Sequence, residues 1–399
     1  MVEQGYKLTE VGVIPEDWNS VQIKDIACVK GGSTPKTSIS KYWDGHINWF
    51  TPTEVGEHKY LYFSNRKITE VGLKDCSATI LPIGTILMTT RAGIGDLGIL
   101  KNEASTNQGF QSLICNNNIN NEYLYYLMQT KKNDLLRNAS GSTFLEISPS
   151  KVKSILIPLP PLPEQNSIAE ALSDMDALIA QTEQLIEKKK AIKQGMMHEL
   201  LTPKEGWVTK KLGEIAELKN GYAFKSAYYN QAGEFLIITI ANVQDGHMEI
   251  ADCNRISHIP DTVQSFQKLN IGDILISMTG NVGRICKVNT YKTLLNQRVG
   301  KITPTNIDGD FLFYLLRDKR FINKMILSAQ GGAQGNIGKS DILDYEASLP
   351  PTPKEQARIA QILLDMDSEI EQLEKQLSKA QSIKQGMMQQ LLTGKTRLI

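Results

Sequence analysis

Residues 164–201 occur twice. The sequence EQNSIAEALSDMDALIAQTEQLIEKKKAIKQGMMHELL returns without a gap at 355–392 as EQARIAQILLDMDSEIEQLEKQLSKAQSIKQGMMQQLL. Asp365 less Asp174 and Ile383 less Ile192 both give 191. Pro160, Pro161 and Pro163 stand before the first copy and Pro350, Pro351 and Pro353 before the second, where proline favours a helix start. Pro203 and Gly206 follow the first copy and Gly394 the second, as helix terminators do. Between these limits apolar residues recur at steps of four and three: Ile168, Leu172, Met175 and Ile179, then Ile359, Leu363, Met366, Ile370, Leu373 and Leu377. That is a coiled-coil seam, so each copy predicts one long helix. Thr182 and Lys189 interrupt the seam where the second copy has Leu373 and Ala380, so the helix needs a partner. A helix of roughly 38 residues would be about 57 Å long, which suits a spacer.

A chain of 399 residues predicts more than one domain. No apolar run nears the roughly 18 residues that span a membrane, and the N-terminal stretch lacks a basic-then-apolar leader, so a cytoplasmic location is expected. The five cysteines are scattered without a C-x-x-C pair, and the five histidines lack ligand spacing, which argues against a metal site or disulfide framework. Lys and Arg total 44 against 43 Asp and Glu. Such balance disfavours a protein that holds nucleic acid by bulk charge alone, but not one that reads bases while partners contact phosphates.

The repeat extends beyond the helices. Trp18-x4-Ile23 matches Trp207-x4-Leu212, Lys30-x-Gly32 matches Lys219-x-Gly221, IGTILMTTRAGIG from Ile83 matches IGDILISMTGNVG from Ile271, and Asn107-Gln108 matches Asn296-Gln297. Aromatic-rich helical stretches at 123–136 and 311–326 are followed by small and polar loops at 140–143 and 330–338. Strands are expected at 83–90, 271–279 and 237–242. The fold class is therefore α+β, with two globular domains alternating with two long helices: 1–158, 159–202, 203–348 and 349–399.

Motifs that suggest catalysis do not hold. Gly93-Ile94-Gly95-Asp96-Leu97-Gly98 fits G-x-G-x-x-G, but a dinucleotide site needs a helix directly after it, and ILKNEASTNQG follows. A turn in a β-rich domain is expected instead. Gly335–Ser340 resembles the end of a P-loop, yet Ala333 stands at the first glycine position. The repeated Asp-Met-Asp at 174–176 and 365–367 lies mid-helix, which predicts a solvated or partner-facing surface.

What remains is loops rich in side chains that bond base edges, since Asn and Gln pair with adenine, Arg with guanine, and Ser or Thr with either. The first domain offers Lys30, Ser33, Thr34, Lys36, Thr90, Arg91, Asn107, Gln108, Ser142 and Thr143. The second offers Lys219, Lys225, Ser226, Thr279, Asn281, Asn296, Gln297, Arg298, Gln334, Asn336 and Lys339. Tyr42, Trp43, Trp49, Tyr222, Phe224 and Tyr229 lie among them.

Taken jointly, the LPPLPEQ and LPPTPKEQ segments, each running into IA…L…MD…IKQGMM…LL, and the stretches 30–52 and 218–243 resemble the specificity (S) subunits of Type I restriction-modification systems. The resemblance covers nearly the whole chain. It implies two helices packed as an antiparallel coiled coil in a pseudo-two-fold repeat, with two target recognition domains. Each domain would read one half of a bipartite, asymmetric site in double-stranded DNA, and the helices would set the gap. Two methyltransferase (M) subunits are implied as partners, with restriction (R) subunits in the full complex. S-adenosylmethionine and ATP would bind those partners only, leaving this chain without cofactor or catalysis. Asp174, Met196, Met197, Asp365, Met387 and Met388 are then the expected M-subunit contacts. Rival readings are a self-contained nucleotide-binding enzyme and a coiled-coil scaffold without base specificity.

Overall fold

The structure, a computed structural model, describes residues 4–91, 93–140, 145–330 and 335–398. It divides into two compact units: Met1–Glu183 with Gln376–Ile399, and Gln184–Lys375. The two long helices span Leu162–Leu201 and Pro353–Leu391, so each unit takes in part of both.

In the first unit a five-stranded sheet has the order Ala27–Gly31, Gln111–Cys115, Ile86–Met88, Leu97–Leu100, Tyr60–Leu61; the first four strands are antiparallel neighbours and the last pairs in parallel. A second sheet sets Trp43–Phe50 between Ala104–Thr106 and Arg66–Ile68. The second unit repeats the plan. Ala216–Asn220, Val299–Pro304, Ile274–Ser277 and Ile285–Lys287 form one antiparallel sheet, and Asn254–Ile256, Phe235–Ile238, Thr293–Leu295 and Lys268–Leu269 the other. The strand expected at 237–242 ends early because the Asn242 side chain accepts hydrogen bonds from the Thr239 N–H and hydroxyl, turning the chain.

Each expected aromatic-rich helix is two helices: Asn121–Thr130 and Lys132–Asn138 in the first unit, Gly309–Leu316 and Lys319–Gln330 in the second. Asn120 and Asp308 cap the leading helices through their side chains. In the second unit the break falls where the Asp318 carboxylate takes the Arg320 N–H and so starts a new helix.

The long helices complete both cores. Ile168, Ala169 and Leu172 pack in the first unit with Trp18, Tyr123, Tyr126, Leu391 and Leu392. Ile359, Ala360 and Leu363 pack in the second with Phe311, Tyr314, Phe321 and Leu201. Ile168, Leu172 and Leu363 have no solvent exposure, and burial of each stabilises by about 1.5–3 kcal/mol. Within each unit the two helical segments run antiparallel: in the first Asp176 pairs with Lys384 while Ile168 shares a core with Leu391, and in the second Lys193 pairs with Asp367 and Lys189 with Glu369. The seam interruptions have polar solutions, since Lys189 reaches Glu369 at 2.6 Å and the Thr182 hydroxyl donates to the Leu178 carbonyl at 2.7 Å.

The Gly93–Gly98 stretch supplies the expected turn, in a hairpin between Ile86–Met88 and Leu97–Leu100, with Gly93 and Gly95 at positive φ. Ser277 makes the matching turn in the second unit, donating to the Asn281 carbonyl and accepting from the Arg284 N–H, as Thr89 does with Gly93 and Asp96. Cys115, Cys253 and Cys286 are shielded thiols, which burial pushes up to about 12, 11 and 12. No helix among the described residues is long and apolar enough to cross a membrane.

Candidate nucleic-acid interface

Strand Ala27–Gly31 leads into a loop at Gly32, where two chain segments almost touch. A Cβ at Gly32 would lie 2.2 Å from the carbonyl oxygens of Thr106 and Asn107, so only glycine fits. Beyond it the Ser33 N–H donates to the Thr106 carbonyl at 2.8 Å, and the Thr34 hydroxyl donates to Gln108 Oε1 at 2.6 Å. The Asn107 side chain accepts from the Gly109 N–H at 2.8 Å, and the Thr90 N–H donates to the Gly109 carbonyl at 2.8 Å. Ser33, Thr34, Asn107, Gln108 and the backbone of Thr90 thus form one patch.

Two indoles support this patch from within. Trp49 donates its Nε1–H to the Ser33 carbonyl at 2.9 Å, and Trp43 donates to the Lys36 carbonyl at 3.3 Å. The rings meet edge to face at 5.1 Å, and the Arg66 guanidinium lies 3.7 Å from the Trp43 ring centre. Both tryptophans are buried, so they shape the loop rather than lie among its exposed groups.

The second unit builds the same contact with other side chains. A Cβ at Gly221 would lie 2.2 and 2.3 Å from the carbonyl oxygens of Leu295 and Asn296. The Tyr222 N–H donates to the Leu295 carbonyl at 2.8 Å, the Gln297 N–H to the Tyr222 carbonyl at 3.0 Å, and the Met278 N–H to the Arg298 carbonyl at 3.1 Å. Asn296, Gln297 and Arg298 are thereby gathered beside Tyr222. Thr279 faces Asn336 across a β-bridge, which adds that loop to the cluster.

Exposed at these surfaces are Lys30, Lys36, Gln108, Lys225, Ser226, Gln297, Arg298 and Lys339. Arg91 is ion-paired with Glu146 at 2.9 Å, Lys219 with Glu217 at 2.9 Å, and the Asn281 amide, turned oxygen-first, accepts from Arg284 Nη2 at 3.0 Å. Two expectations need correction. Thr90 is wholly buried, because its side chain points inward from the sheet end, and the hydroxyls of Thr90 and Thr279 are shielded without a partner among the described residues. Ser142, Thr143 and Gln334 lie outside the described residues.

On the helices, Met196 and Met197 pack against the second unit's core and Met387 and Met388 against the first's, because they fall on the inward face. Asp174 and Asp365 remain exposed. The second aspartate of each Asp-Met-Asp is engaged instead. Tyr126 donates its hydroxyl to Asp176 Oδ2 at 2.5 Å, and Lys384 pairs with Oδ1 at 2.5 Å. Tyr314 donates to Asp367 Oδ2 at 2.7 Å, and Lys193 pairs with Oδ1. These two sets were missed, although the sequence carried a signal: both the aspartates and the lysines recur at the spacing of 191.

Residues 15–191 and 204–381 each match the family model described as Type I restriction modification DNA specificity domain. The MjaIX specificity subunit of Methanocaldococcus jannaschii is 30% identical over 99% of this chain and 97% of its own length. The EcoKI specificity subunit of Escherichia coli K12 is 27% identical over 67% of this chain and 63% of its own. Among solved structures, the S subunit of the Type I system from M. genitalium aligns with a TM-score of 0.58 at 18% identity, covering 94% of this chain and 96% of that one. Similarity at that identity concerns the fold.

Proposed function

Because the chain belongs to the family of Type I restriction-modification specificity subunits, we propose that each unit reads one half of a split, asymmetric site in double-stranded DNA. The observation that carries this reading is the repeated loop junction at Gly32 and Gly221. One backbone device presents Ser33, Thr34 and Gln108 in one unit, and Tyr222, Gln297 and Arg298 in the other. A shared frame with different side chains suits two readers of different sequences. Lys30, Lys36, Lys225 and Lys339 serve as phosphate contacts beside them.

The chain itself does no chemistry in this reading; M subunits carry S-adenosylmethionine and methylate the DNA, and R subunits use ATP. A net charge of +1 supports such sharing, since partners must supply much of the phosphate contact. M docking belongs on the outward faces of the long helices. Ile192 and Ile383 are 44% and 45% exposed at equivalent positions, and Cβ atoms at Gly195 and Gly386 would meet nothing within 4 Å. Mid-helix glycine costs about 0.5–1 kcal/mol relative to alanine, and a closely approaching partner would account for keeping it twice. With Asp174 and Asp365 these positions replace the inward methionines as the docking contacts.

The test is single-molecule sequencing of DNA from cells that carry or lack this chain. Methyladenine at a split consensus that vanishes without the chain is expected; methylation with no split consensus, or none that depends on the chain, refutes the proposal.

A further inference from the structure

In each unit one carboxylate joins three elements. Asp367 sits on the long helix Pro353–Leu391, takes the hydroxyl of Tyr314 from the recognition-domain helix Gly309–Leu316, and pairs with Lys193 from the long helix Leu162–Leu201. Asp176 does the same in the first unit with Tyr126 and Lys384, the roles of the two long helices being exchanged. The lysine ammonium lies 5.6 Å from the tyrosine ring centre in both. Lys193 is 8% exposed, Tyr126 and Tyr314 are fully buried, and burial holds the Lys193 ammonium below its ordinary pKa. The carboxylates keep contact with water, with side-chain exposures of 38% at Asp367 and 29% at Asp176, so the ion pairs add little stability. Turning the domain on the helix would, however, leave the buried Tyr314 hydroxyl and Lys193 ammonium without their partner.

We infer that Asp176 and Asp367 are positioning residues that fix the angle of each recognition domain on the long helices, and so make the gap between the two half-sites unique. The inference rests on the proposed reading of split DNA sites. Apolar contacts between a domain and a helix tolerate rotation, whereas a carboxylate bonded on one oxygen by a tyrosine and on the other by a lysine does not. The first unit has a further tie. Lys59 reaches Glu122 at 3.0 Å, the Tyr126 hydroxyl at 2.8 Å and Ser173 at 2.9 Å, binding the same domain to the first long helix a second way. In the second unit the Tyr314 hydroxyl has Asp367 as its one hydrogen-bond partner among the described residues. Loosening should therefore be greater at Asp367 than at Asp176.

The experiment uses the full chain assembled with its methyltransferase partner and a DNA library in which the two half-sites are separated by varied gaps. Unsubstituted complex should methylate one gap. Asp367→Asn and Tyr314→Phe should lower the preference for that gap over gaps one base pair longer or shorter by about tenfold, the worth of a lost hydrogen bond to a charged group, with half-site bases unchanged. Tyr314→Phe removes a single hydroxyl and serves if Asp367→Asn fails to fold. Asp176→Asn should give a smaller loss, and Glu371→Gln, an exposed position on the same helix, none. An unaltered gap profile in Tyr314→Phe, with only the rate or melting temperature changed, overturns the positioning role. Failure of the unsubstituted complex to methylate any split site overturns the underlying reading instead.

Discussion

Single residues decide whether each loop junction can close. Replacing Gly32 or Gly221 by alanine puts a Cβ 2.2 Å from carbonyl oxygens, and overpacking of this kind costs about 1–3 kcal/mol. Gly32→Ala should abolish recognition of the first unit's half-site while the other half-site consensus survives, which methylome sequencing would show. Glu122 sets an acid limit. Burial opposes its ionisation, but hydrogen bonds from Tyr60, Ser173 and Lys59 prevail and hold the carboxyl below its ordinary 4.5. A carboxylate whose folded pKa is depressed contributes stability that is complete above its unfolded value and is lost as pH falls through the folded one. Glu122→Gln should therefore flatten the dependence of stability on pH below about 4.5, as read by urea denaturation across that range; an unchanged slope would contradict the assignment.

At the scale of elements, the N-terminal strand region, the start of the first long helix and the segment after the second are tied by one buried carboxylate. Glu164, 4% exposed, accepts from the Trp18 indole at 2.9 Å and from Arg397 at 2.7 and 2.8 Å; Arg397 also reaches Asp17 at 2.7 Å. Arg397→Ala leaves the carboxylate buried and unpaired and should destabilise the first unit by about 3–5 kcal/mol in denaturant titration. Lys190→Ala, which breaks a half-exposed pair with Glu374, should cost less than about 1 kcal/mol. The long helices were legible because a seam of period 3.5 and a spacing of 191 survive in one dimension. The loop junctions proposed to read DNA were legible only in part. Asn107-Gln108 and Gly32 recur in register and were found, but which way Thr90 points, or that Trp43 and Trp49 lie beneath the loop, depends on pairing between strands far apart in sequence. For Met196 and Met387, which are half-buried against the two cores, the repeat marks a face without telling whether it points inward or outward.

For the whole molecule, the long helices as ruler make a quantitative expectation. Matched removal of residues 181–184 and 372–375 takes about one turn from each helix, about 6 Å, and spares the buried Leu172, Ile168, Leu363 and Ile359. The recognised gap should shorten by about two base pairs, with both half-sites unaltered, in the methylation library; an unaltered gap would remove the ruler. The division into units also bears on how the chain comes off the ribosome. The second unit is one continuous stretch, Gln184–Lys375, and can close as it emerges. The first unit lacks Gln376–Ile399 until the whole intervening stretch has been made, a delay of roughly 10–40 s at about 5–20 residues per second. Through that interval the apolar surface that Leu391 and Leu392 will cover stays open to water and to passing chains. The half of the protein translated first is thus the half that matures last, and it is there that a nascent chain would depend on a chaperone.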